Sequence, residues 1–144
     1  AHVCELTGLR GRWQKLSESP LTICDTGHNV GGMQYIVRQL TGTPHHTLHI
    51  IIGMVNDKDV NTVLSMLPKE AVYYFTQASV KRAMPCMEFA EKAAAHGLRG
   101  QSYPSVSESY KAAKSAATAD DLIFIGGSTF IVADLLTALE QRKT

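Results

Sequence analysis

Apolar residues recur along the chain with two alternating periods. Leu21-Thr22-Ile23-Cys24-Asp25 reads as a strand, and Gly27, Gly31 and Gly32 follow at once. Met33, Ile36, Val37 and Leu40 then fall at i, i+3, i+4 and i+7, the stripe of a helix laid on a core. His49-Ile50-Ile51-Ile52 is a β-branched run ending at Gly53. It is too short for a helix and apolar on both faces, as a central strand of a parallel sheet would be. Val60, Val63, Leu64 and Leu67 form the next helical stripe, which Pro68 ends. Val72-Tyr73-Tyr74-Phe75 is a third strand-type run. Pro85 opens a helix carrying Phe89, Ala90 and Ala93, and Gly97 is placed to close it. Gln101-Ser102-Tyr103 is a short strand before Pro104. Ser105 with Glu108 is a capping-box pair that opens a helix through about Ala117. Leu122-Ile123-Phe124-Ile125 is another central strand, closed by Gly126-Gly127. Ser128 starts a final helix with the stripe Val132, Leu135, Leu136 and Leu139. A brief alternation at Arg12–Leu16 suggests an extra strand at the front.

Strands and helices thus alternate, which predicts a parallel α/β sheet covered by helices on both faces. The length of 144 residues suits one domain, residues 1–144, at about 100–200 residues per domain. Lys and Arg total 14 against 13 Asp and Glu, a net charge of +1. That argues against nucleic acid or an anionic membrane held by bulk charge. No apolar run is long enough to span a bilayer. Three widely spaced cysteines, Cys4, Cys24 and Cys86, without a CxxC pair read as reduced thiols of a cytoplasmic protein.

In open α/β sheets, ligands sit beyond the carboxyl ends of the strands. The segments expected there are Asp25-Thr26-Gly27-His28-Asn29, Gly53 through Asp59, Thr76 through Arg82, and Gly126-Gly127-Ser128-Thr129. A carboxylate, an imidazole, several cations and a Gly-Gly-Ser helix start suit a charged polar ligand. Each piece also has a plainer role. Asp25 and Ser128 are favoured helix caps, and Asn56-Asp57-Lys58-Asp59 reads equally as a solvated turn. His45, His46 and His49 match no zinc spacing and have no cysteine or carboxylate close by in sequence, so no metal site is expected. Both the G-x-G-x-x-G fingerprint and the G-x-x-x-x-G-K-[ST] loop are absent.

Taken in order, these motifs resemble a known family. Gly11-Arg12-Trp13 followed by Asp25-Thr26-Gly27-His28-Asn29 is similar to the Gly-Arg … Asp-Gly-Ala-His-Asn pattern of folylpolyglutamate and dihydrofolate synthases, members of the Mur ligase superfamily. Gly53-Met54-Val55-Asn56-Asp57-Lys58-Asp59 resembles the family's Gly-x-x-x-Asp-Lys-Asp loop, Lys81-Arg82-Ala83 its Pro-Arg-Ala segment, and Gly126-Gly127-Ser128 its late Gly-Ser helix start. The likeness covers about residues 8–140 and is to the family's C-terminal domain only. It implies a three-layer α/β/α, Rossmann-like fold with a six-stranded mixed sheet, mostly parallel, its first strand antiparallel. The family's P-loop central domain is absent from this chain.

The resemblance further implies ATP-dependent amide formation. A folate or pteroate carboxylate is phosphorylated, and the amine of glutamate attacks the acyl phosphate. ATP and Mg²⁺ are the implied cofactors, the Mg²⁺ held mainly by the missing domain. The implied partners are that domain, glutamate and the folate or pteroate. By resemblance, Arg12 reaches the ATP phosphates and Asp25 holds the ribose. Ser128 serves the incoming glutamate and His28 faces the glutamate or the nucleotide, with Lys58 and Arg82 as cations near the glutamate site. No catalytic residue is assigned within this domain, and the chain alone is expected to be inactive. Departures are Gly27 and Val30 where the family commonly has Ala and Pro, and Lys81 where it has Pro. Two alternatives stand beside this one: a non-catalytic α/β binding or interaction module, and the equivalent domain of a cell-wall Mur ligase.

Overall fold

A computed structural model describes residues 13–55 and 59–142. The six strands are β1 (Gln14–Glu18), β2 (Leu21–Cys24), β3 (Leu48–Ile52), β4 (Val72–Phe75), β5 (Gly100–Ser102) and β6 (Leu122–Gly126). The helices are α1 (Val30–Gly42), α2 (Val60–Met66), α3 (Cys86–Ala95), α4 (Val106–Ala116) and α5 (Thr129–Arg142). The sheet order is β1-β2-β6-β3-β4-β5, with only β1 antiparallel. The expected front strand is present, shifted from Arg12–Leu16 to Gln14–Glu18, and Arg12 lies outside the described residues.

Burial follows position in the sheet. All five residues of β3 and of β6 are buried, as suits neighbouring strands in the middle of a parallel sheet. The edge strand β5 is exposed throughout, which is why its sequence carries so little apolar pattern. Helices α1, α2 and α3 cover one face, bringing Met33, Ile36, Val63 and Phe89 onto Ile50, Phe75 and Phe124. Helices α4 and α5 cover the other, with Val106, Ile131 and Leu135 on Ile51, Ile123 and Ile125. Each fully buried aliphatic or aromatic side chain contributes roughly 1.5–3 kcal/mol.

This division of helices has a topological cause. The chain steps from β2 to β3, β4 and β5 in one direction, and right-handed crossovers keep those three helices on one face. From β5 it returns and inserts β6 between β2 and β3, so α4 and α5 fall on the other face. Strand β6 therefore sends its helix to one side while both neighbours send theirs to the opposite side. The loops part at that point, which is where an open α/β sheet forms its crevice.

Candidate functional site

The carboxyl ends of the parallel strands finish in register. Asp25 N–H donates to Ile125 O (3.2 Å), Gly53 N–H to Gly126 O (3.4 Å), and Thr76 N–H to Ile52 O (2.9 Å). The loops after β2, β6, β3 and β4 thus leave one edge side by side. The turn after β6 is packed tightly among them. A Cβ on Gly126 would lie 2.8 Å from the Asp25 carbonyl oxygen. Gly127 has φ +104°, and a Cβ there would lie 2.4 Å from Gly53 O. Only glycine meets both demands at position 127, a left-handed backbone and a close approach.

Asp25 is 1% exposed. Its Oδ1 accepts from Gly27 N–H (2.8 Å) and its Oδ2 from Trp13 N–H (2.9 Å). The carboxylate therefore shapes its own loop and ties the front of the chain to the sheet edge. It does not cap α1. That task falls to Asn29, whose Oδ1 accepts from Gly32 N–H at 2.7 Å. Trp13, held at φ +41°, stacks its ring on Phe124 with centroids 6.3 Å apart. A bulky residue with such a φ is strained backbone, and strain of this kind clusters at working sites.

His28 is exposed on the same loop, with Nδ1 3.3 Å from Thr26 O. Ser128 is buried at the start of α5, and its Oγ accepts from Ile131 N–H (3.2 Å). Arg82 is exposed on the loop after β4, two strands from β6. Asp25, His28, Ser128 and Arg82 thus share one edge, with Asp25 and the Gly126–Ser128 turn in direct contact. Arg12 and Lys58 lie outside the described residues. Glycine-lined turns, a carboxylate with acceptor capacity beyond its two bonds, and a helix N-terminus suit hydroxyl and anionic groups of a ligand.

One network escaped sequence reasoning. His49 is buried at the opposite edge, its Nε2 2.8 Å from Asp121 Oδ2 and its Nδ1 2.8 Å from Tyr74 Oη. The carboxylate partner is 72 residues away in sequence, so no spacing rule finds it. Burial pushes the Asp121 carboxyl up, but hydrogen bonds from His49, Thr118 and Thr47 outweigh it and hold the group well below the usual carboxylate range. An ionised Asp121 only accepts, so His49 donates to it from Nε2, while Nδ1 pairs with the Tyr74 hydroxyl. Burial, with smaller contributions from Tyr103 and Asp121, pushes the Tyr74 hydroxyl up to about 12, which keeps it neutral. Among the described residues no three His, Cys, Asp or Glu side chains converge as a metal site.

Residues 11–129 match the family described as the Mur ligase, glutamate ligase domain. The chain belongs to that family. The Escherichia coli (strain K12) dihydrofolate synthase/folylpolyglutamate synthase is 31% identical over 137 residues, which is 94% of this chain and 32% of that protein. The structure of E. coli FolC in complex with DHPP and ADP superposes with a TM-score of 0.84 at 28% identity, covering 94% of this chain and 32% of that one. A bifunctional folylpolyglutamate synthase/dihydrofolate synthase with Mn, AMPPNP and L-glutamate bound superposes at 0.82 and 27% identity, over 94% of this chain and 33% of that one. The glutamate ligase domain thus spans about a third of the relatives it matches. The six-stranded mixed sheet with five helices among the described residues agrees with the fold of those enzymes' matching region. No helix among the described residues is long and apolar enough to cross a membrane.

Proposed function

We propose that this chain is the glutamate-binding, nucleotide-closing domain of an ATP-dependent ligase that joins glutamate to folate or dihydropteroate through an acyl phosphate. The observation that carries this reading is the packing of the Gly126–Ser128 turn against Asp25 at the point where the loops part. The matching relatives' complexes with nucleotide, DHPP and glutamate support it. The Mg²⁺ and the P-loop belong, in this proposal, to a central domain outside these 144 residues, and the reaction runs in the cytoplasm.

The chemistry brings three anionic partners together and must keep the acyl phosphate from water. Cations offset the charge, and closure of one domain on the other excludes solvent. Arg12 serves the phosphates, and Asp25 accepts from the ribose hydroxyls through lone pairs its two backbone bonds leave over. The start of α5 at Ser128 faces the glutamate carboxylate, with His28, Lys58 and Arg82 around it. Without the P-loop this chain alone neither hydrolyses ATP nor ligates glutamate.

A second reading draws on how fully Asp25 and Ser128 are engaged within the fold. In it they are turn and cap residues of a non-catalytic module. Ser128→Ala in the full-length protein separates the two. Ligation predicts a glutamate KM raised roughly 10- to 100-fold, the worth of a hydrogen bond to a charged group at about 1.5–3 kcal/mol. Capping alone predicts about 0.5–2 kcal/mol of lost stability and an unchanged glutamate KM, and that result sinks the ligase assignment of Ser128.

A further inference from the structure

The loop after β4 is anchored more firmly than a surface connection needs. Ala83 N–H donates to Val80 O (3.1 Å), so Val80-Lys81-Arg82-Ala83 closes as a turn with the two cations at its tip, both exposed. On the far side of the turn, Met84 N–H donates to Met54 O (2.8 Å) and Ala83 pairs with Val55, which fastens it to the loop after β3. On the near side a single carboxylate does the fastening. Asp134 accepts from Ser79 N–H at Oδ2 (2.8 Å) and from Ser79 Oγ–H at Oδ1 (3.0 Å). Ala78, Val80 and Ala83 pack beside it in the same cluster as Ile131, Val132 and Leu135 of α5. Asp134 lies six residues beyond Ser128 on that helix, roughly 9 Å along the axis.

The Lys81–Arg82 turn is therefore tied, through one two-point clamp, to the helix whose first turn Ser128 opens. We propose that Asp134 is a positioning residue that sets the distance between the Lys81–Arg82 cations and the start of α5, so that both meet one anionic ligand. This rests on the reading that this edge takes glutamate. Strand order alone leaves Arg82 two strands from β6. Apolar packing of Ala78, Val80 and Ala83 lays its loop on α5, and the clamp fixes where along the helix it sits. A two-point acceptor suits the task because it fixes orientation as well as distance, and charge strengthens both bonds.

The test uses Asp134→Ala, Asp134→Asn, Arg82→Ala and the Asp134→Ala/Arg82→Ala pair in the full-length protein. Asp134→Ala should speed amide hydrogen exchange at Ser79–Ala83 and raise the glutamate KM about tenfold with little change in kcat, a loss of about 1.4 kcal/mol in binding. Asp134→Asn keeps an acceptor for Ser79 N–H and a donor for its hydroxyl, so it should restore most of the KM. The double variant should bind glutamate no worse than Arg82→Ala, because the clamp acts through that loop. A lower melting temperature with an unchanged glutamate KM in Asp134→Ala, while Arg82→Ala raises it, makes the clamp merely structural and overturns the proposal. Unchanged exchange at Ser79–Ala83 overturns it as well. An unchanged glutamate KM in both Arg82→Ala and Ser128→Ala removes the glutamate reading itself, and the positioning role with it.

Discussion

The two edges of the sheet handle their polar groups in opposite ways. At the amino edge, Asp121 accepts from Thr118 N–H (3.0 Å), Thr118 Oγ1–H (3.0 Å), Thr47 N–H (3.2 Å) and His49. The Tyr74 hydroxyl completes the chain at His49 Nδ1. Within this network each of these donors has an internal acceptor, and it ties β3 and β4 to the start of β6. At the carboxyl edge the backbone is brought close by glycines, Trp13 is held at a strained φ, and His28 and Arg82 reach solvent. The amino edge is closed around its hydrogen bonds, and the other carries the loops to which we assign the ligand. The same two kinds of side chain, imidazole and carboxylate, occur at both. Both carboxylates are buried, and packing decides which imidazole is locked in with its carboxylate and which is left in solvent.

The largest expected break in this contrast is Asp121→Ala. Removing the carboxylate leaves the buried His49 ring without its acceptor and strips the half-buried Thr47 and exposed Thr118 donors of theirs, at a cost of about 3–5 kcal/mol, most of it from His49. Urea unfolding at neutral pH measures it. The pH dependence sharpens the point. Asp121 is more acidic in the folded chain than in the unfolded one. Its contribution is complete above the ordinary carboxylate range of about 4. It is lost as the pH falls below that range toward the folded value. An Asp121→Asn chain should therefore show a flatter loss of stability on acidification than the natural one. Equal slopes would mean that the network does not favour the ionised carboxylate.

Next in size is Gly127→Ala. An L residue at φ +104° costs about 1–3 kcal/mol, and the added methyl also meets Gly53 O. The melting temperature should fall, and less far than in Asp121→Ala. A neutral result would show that the turn after β6 can relax, and would remove the tight packing on which the carboxyl-edge site depends. The smallest effect is expected from His28→Ala. An exposed ring with one 3.3 Å contact to Thr26 O leaves stability within about 0.5 kcal/mol. A larger loss would place His28 among the structural groups and erase the difference between the two imidazoles.

Much of the carboxyl edge was legible from the chain. The strand ends, the glycines after them, and the polar residues that follow all lie where period and punctuation put them. So do the cap at Ser105, with Glu108 N–H 3.2 Å from Ser105 Oγ, and the helix end at Gly97 with φ +83°. Asp25 was harder. Its type and place allow a helix cap, and nothing local distinguishes that from an acceptor for Trp13, 12 residues earlier. The clamp from Ser79 to Asp134 spans 55 residues, and the bond from His49 to Asp121 spans 72.

The amino-acid sequence by itself determined the alternation of strands and helices, the composition of each loop and the family likeness. It could do so because burial periodicity and turn chemistry act between residues a few positions apart. Tertiary structure alone decided that β6 enters between β2 and β3, and with it where the loops part and which polar groups close on one another. Those contacts join residues distant in sequence whose identities carry no local period. Only chain return and crossover handedness bring them within hydrogen-bonding distance.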